Sequence, residues 1–190
     1  MSKNWLLMSD EMIKDRSTIH GNIDPKLIYP EIKVAQDMYI HPILGSALFN
    51  KILVDINASG TTTGNYKILL DDYIVDALMY YAIAQLPMGI SYQFWNKGVM
   101  RKQGDSTELP SMSELVDISN HYRIRAEWYA ERLTKYLKQY ASSTFLPEYL
   151  SPGDTLDTIN PQNSPFTMPI YLGDSDYCES LDKNNCRCNE

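Results

Sequence analysis

Cysteine is nearly missing from this chain. Its three cysteines, Cys178, Cys186 and Cys188, all sit near the end, and an odd number confined to a polar tail makes no disulfide framework for the body. Positive charge is also short. Lysine and arginine number 17 against 24 aspartates and glutamates, for a formal net charge of -7. A basic footprint for gripping nucleic-acid phosphates is therefore absent. No run approaches the roughly 18 apolar residues of a membrane span, and the opening MSKNWLLMSDEM has too short an apolar stretch for a secretory signal. These absences predict a soluble protein made in a cytoplasm, with no membrane partner. The patterns GxxxxGKS/T, GxGxxG, HExxH and GxSxG are missing too, which removes sequence support for the phosphate, dinucleotide, metalloprotease and hydrolase chemistries that need them. The expectation is no enzyme and no cofactor.

What is there suffices for one domain. At 190 residues with 44% hydrophobic side chains, the chain can fill a core without staples. Ser9 ahead of Asp10 and Glu11 reads as the start of a one- or two-turn helix. Asp24-Pro25 is a stronger start, an acceptor side chain before a proline whose fixed φ suits the first helical position. Ile28, Ile32, Ala35 and Tyr39 then make an apolar stripe, while Pro30, tolerable only near a first turn, pulls the expected start towards Tyr29. The residue before a proline is pushed out of α geometry, so His41-Pro42 predicts the end of this helix and a corner into the next, with Gly45 allowing close approach or a bend. Ser59 to Asn65 is small and polar and reads as a loop.

Tyr66 to Leu86 is apolar nearly all round and predicts the central core helix, ended by Pro87 and Gly89. ISYQFWNKGVMRK alternates around Asn96-Lys97-Gly98, a pattern suited to a short hairpin with Trp95 exposed. Ser111 with Glu114 three residues on forms a capping box, opening a helix to about Tyr140. Its predicted buried stripe is Leu115, Ile118, Tyr122, Tyr129, Leu133, Tyr136 and Tyr140. The opposite face, with Arg123, Glu127, Glu131, Lys135 and Lys138, reads as charged and wet. The expected architecture is mainly α: a small helical bundle over residues 1–141 with a short β-hairpin, followed by an extended, proline-rich C-terminal arm over residues 142–190. That arm either stays loose or wraps on another surface through Phe166, Met168, Ile170, Tyr171 and Leu172.

Candidate chemistry is sparse. Asp71, Asp72 and Asp76 put carboxylates one turn apart, as a metal-dependent nuclease would need, but no histidine accompanies them and a solvated helix face explains them more simply. His20, His41 and His121 lack metal spacing, and the three cysteines lack the paired CxxC spacing of a closed zinc site. The 14 tyrosines and three tryptophans would serve base stacking only beside a basic groove, so core and protein interface are their better uses.

The order IKVAQDMYIHPILGSALFNKIL, ILLDDYIVDALMYYAIAQLP, FWNKGVMRK and a long closing helix resembles the head-tail connector proteins of tailed phages, those of crAss-like Bacteroides phages above all. The likeness covers about Asp10 to Tyr140 and leaves the arm unmatched. It implies a structural virion protein at the head-tail junction: a helical adaptor forming a ring of twelve copies below the portal, extending the DNA channel and docking the next ring or tail protein. DNA is then passing cargo, and an acidic wall keeps duplex phosphates from sticking. On this reading Trp95, Asn96, Lys97, Gly98 and Val99 form a projecting loop that contacts the portal or a neighbouring copy. The same amphipathic helices also permit a small scaffolding or regulatory module acting as a monomer or dimer.

Overall fold

The computed structural model describes residues 5–96, 98–101, 110–151, 153 and 158–162, with backbone alone at 93–95 and 98–101. Within these the molecule is mainly helical. α1 (Asp10–Arg16) starts where the Ser9 hydroxyl accepts the Met12 N–H, and α2 (Pro25–Ala35) where the Asp24 carboxylate accepts the Lys26 N–H. Both caps satisfy donors that a helix start leaves without partners. Pro30 lies inside α2 at an exposed position instead of delaying its start.

The expected break at His41 does not occur. Gln36–Ile40 forms a π-helical turn in which the His41 N–H donates to the Gln36 carbonyl, and α3 (His41–Leu44) continues from it with Pro42 in its first turn. The widened turn absorbs the proline, because a first-turn residue needs no backbone donor. The chain bends at Gly45 instead, with φ 76°, and α4 (Ser46–Ser59) leaves in a new direction. A second π turn, Leu70–Ile74, joins α5 (Asn65–Leu69) to α6 (Val75–Ser91). Pro87 was expected to end α6 but lies within it. One residue from the carbonyl that Pro87 leaves without its helical donor, the Ser119 hydroxyl donates to Ala84 O at 2.5 Å. Asn65–Ser91 has the length and mean hydropathy, 1.2, of a membrane span. Here it is the core helix, with α2 and α7 (Met112–Tyr140) packed against it.

β1 (Tyr92–Trp95) pairs antiparallel with β2 (Gly98–Arg101), Trp95 opposite Gly98. The Ser111–Glu114 capping box forms in both directions at the start of α7. Tyr73 stacks on Tyr136 at 4.0 Å and Tyr80 on Tyr129 at 5.2 Å. These pairs are two turns apart on each helix and register the antiparallel α6–α7 contact. The buried stripe of α7 differs from the expected one: Ile118 and Tyr140 are 42% and 46% exposed, while Ala126, Ala130 and Leu137 are buried. The two alanines let α6 approach closely, which rotates the contact towards them.

The body does not end at residue 141. Leu146 and Tyr149, flanking and within α8 (Pro147–Leu150), belong to the same core as Ile32, Ile74 and Leu133, and the Tyr66 hydroxyl donates to Glu148 Oε2 at 2.6 Å. Residues 158–162 return to the α3–α4 corner, where Ser46 and Ile159 exchange hydrogen bonds.

Candidate functional site

Two apolar pairs stand out because helix geometry turns them away from the core. On α7, Ile124 and Trp128 are one turn apart, opposite Leu115, Leu133 and Leu137, and are 67% and 60% exposed. Residues four apart share a helix face, so they form one ridge. The Trp128 ring meets Tyr129 edge-on at 4.9 Å, and Tyr129 is itself stacked on α6, which steadies the indole. On the α2 side of α6, Val34 and Met38 are also one turn apart, and Met38 is 61% exposed. α2 and α7 both pack on α6 and scarcely touch each other. The two apolar faces therefore belong to different helices, each packed on α6.

The α2 flank is concave. A groove of about 440 Å³ is lined by Leu6, Tyr29, Pro30 and Lys33, and the exposed Val34 follows Pro30 by one turn. Its wall is held in place: the Tyr29 hydroxyl donates to Asp10 Oδ1 at 2.9 Å, and Lys14 donates to Asp10 Oδ2 at 3.1 Å. The Tyr29 bond, together with Lys14, holds the Asp10 carboxyl below its ordinary value, and the same bond raises the Tyr29 hydroxyl. Beneath, the buried Gln36 amide accepts the Leu7 N–H at 2.9 Å and donates to Trp5 O at 3.1 Å. That ties the N-terminal segment carrying Leu6 to α2. Lys33 and Asp37 pair along the rim. The α2 flank thus offers a socket and the α7 flank a ridge.

A second cleft, about 210 Å³, lies between the first π turn, α6 and α7, and includes Tyr39, Tyr81, Gln85, Asn120 and Arg123. Tyr39 and Tyr81 stack at 4.1 Å. Burial pushes the Tyr81 hydroxyl up to about 12, and Arg123 is bound to Glu127 at 3.0 Å. The cleft therefore presents neither a base poised near neutrality nor an uncompensated cation.

Of the residues singled out in the sequence, Asn96 is exposed in the β1–β2 turn, while Trp95, Gly98 and Val99 are placed by backbone alone. Lys97, Phe166, Met168, Ile170, Tyr171, Leu172 and the three cysteines lie outside the described residues. Asp71 and Asp72 are exposed, and Asp76 faces Arg132 at 3.9 Å. Burial raises the Asp76 carboxyl while Arg16 and Arg132 oppose the rise. Among the described residues no three His, Cys, Asp or Glu side chains group as a metal site. His20 accepts the Asn22 N–H, His41 stacks on Phe49 at 4.3 Å, and His121 meets Tyr122 edge-on at 5.5 Å. Sequence reasoning missed Ile124, Trp128, Val34 and Met38. The signal for the first two was two large apolar residues one turn apart on a face otherwise defined by its charges.

No curated protein and no solved structure matches this chain. A profile described as a family of unknown function, DUF6712, matches residues 40–158, running from the π turn before the corner to the start of the returning segment. That span is more than half of the sequence, and the protein belongs to this family.

Proposed function

We propose that this protein is a structural subunit of a tailed-phage virion, a head-tail connector that forms a ring below the portal, extends the DNA channel and docks the next tail component. The observation that carries the reading is the pair of unlike apolar faces: a ridge of Ile124 and Trp128 on α7, and a socket made of the α2 groove lined by Tyr29 and Pro30 with the exposed Val34 and Met38 one and two turns beyond Pro30. A closed ring needs a heterologous contact, in which one face of each copy meets a different face of the next. A ridge and a socket on different helices supply that, whereas a two-fold dimer would use one self-complementary patch. The likeness of Ile32 to Leu53 and of the tyrosine-rich central helix to phage connectors points the same way.

In this reading the work is mechanical. The β1–β2 turn around Asn96 is the element offered to the portal, and the net charge of -7 suits a wall past which DNA slides without adhering. The test is the mass and shape of the purified protein, alone and mixed with its portal, by native mass spectrometry and negative-stain imaging. Rings of defined copy number seated on the portal are expected. A protein that stays a monomer or a two-fold dimer in both conditions overturns the proposal and favours a small protein-binding module.

A further inference from the structure

The corner at Gly45 is a split helical hydrogen bond, and residues 159–162 occupy the split. In an uninterrupted helix the Ser46 N–H would donate to the Pro42 carbonyl, four residues back. Instead Ser46 N–H donates to Ile159 O at 3.0 Å, and Pro42 O accepts the Gln162 N–H at 2.8 Å. Ser46 Oγ also accepts the Ile159 N–H at 2.9 Å. Between these bonds Pro161 sits on Gly45 so closely that a Cβ there would lie 2.7 Å from its Cγ. Gly45 thus serves twice, through its positive φ and through the space its missing side chain leaves. The corner reads backbone at residues 159 and 162 and a proline ring between them, which is recognition of a short extended segment by its proline. A partly buried donor and acceptor left open by the bend give it a standing need for an occupant.

We infer that this corner is an exchange site between copies: in the assembled ring it takes residues 159–162 of the neighbouring chain, in place of the copy's own. This rests on the ring reading above. Identical segments make identical contacts, so exchange costs only what the connecting link and the local concentration impose, the condition under which arms swap readily. The link from the end of α8 to Thr158 is the stretch 151–157, seven residues long, with a reach of roughly 24 Å when extended. The corner also continues directly from the π turn that carries Met38, so it lies beside the face where the neighbour's ridge docks. Leu150 at the root of the link and Met38 on the turn that leads into α3 are 55% and 61% exposed, apolar surface left uncovered within one copy.

The test uses the full chain in two isotopic forms, light and heavy, each with p-benzoylphenylalanine at the exposed position 162. The two are mixed as monomers, assembled on the portal and irradiated, and cross-linked peptides joining position 162 to residues 42–46 are read by mass spectrometry. Exchange predicts light and heavy peptides joined at random in rings and like joined only to like before assembly. Pro161→Asp in the same background should lose the cross-link, which ties it to this docking. Rings whose cross-links join only like isotopes overturn the exchange and leave the ring standing. A chain that stays single on the portal, cross-linked only within itself, overturns both.

Discussion

Gln36 shows how one polar side chain sets a surface. It is fully buried, and its amide meets Leu7 N–H and Trp5 O, so removing it strands a buried donor and an acceptor together. Gln36→Leu should lower unfolding stability by about 1–3 kcal/mol, seen as a lower denaturant midpoint with an unchanged slope. Tyr66 makes a pH-dependent prediction. Burial, and then its hydrogen bond to Glu148, raise its hydroxyl from 10.0 to about 12. The folded state therefore binds this proton more tightly than the unfolded chain does. The associated stability is fully present below about pH 10 and is lost as pH rises towards 12. Tyr81, raised to about 12 by burial, acts in the same window. Tyr66→Phe should flatten part of the alkaline fall in melting temperature, and Tyr66→Phe with Tyr81→Phe more of it. An alkaline limb identical to wild type would show that neither hydroxyl is coupled to folding.

At the scale of elements, α7 separates what holds the molecule from what it presents. Leu133 is fully buried, and Leu133→Ala should cost about 2–5 kcal/mol of stability. Ile124→Ala on the opposite face should stay within about 0.5 kcal/mol in the monomer, and chemical denaturation of the two variants measures the contrast. The element boundaries set by local chemistry were legible in the sequence. Ser9, Asp24 and the Ser111–Glu114 box each cap within a few residues of themselves, and the all-round apolar character of α6 pointed to a core helix. The prolines were misread because their local rule was overridden. A π turn widened the backbone ahead of Pro42, and the packing of α2 and α6 on each other outweighs the one helical bond that Pro30 and Pro87 each remove. The rotation of α7 was not legible either, since it depends on how closely Ala126 and Ala130 let α6 approach. Nor was the site: whether Ile124 and Trp128 support a core or a neighbour is decided by the opposite face of their helix, and the socket on α2 exists only once Gln36 brings Leu6 beside Tyr29.

At the scale of the whole molecule, a ridge and a socket on different helices make a prediction that a symmetric contact does not share. Trp128→Glu spoils the ridge and leaves the socket intact, while Met38→Glu does the reverse, and both positions are exposed, so each variant should fold as stably as the wild type. A central aromatic anchor of this kind contributes about 2–4 kcal/mol to an interface, roughly 30- to 1000-fold in affinity. Each variant alone should therefore fail to build rings. Mixed in equal amounts, they retain one good ridge and one good socket between them, in different chains. A single contact then forms and no further copy can add to either end. The mixture should stop at a heterodimer, resolved by native mass spectrometry with one chain isotopically labelled. Under a two-fold dimer built on one self-complementary patch, the variant that leaves that patch intact would still dimerise by itself, so the two variants would not both be silent alone. A heterodimer from two separately silent variants would therefore establish that copies meet head to tail, the polarity a ring of one protein needs.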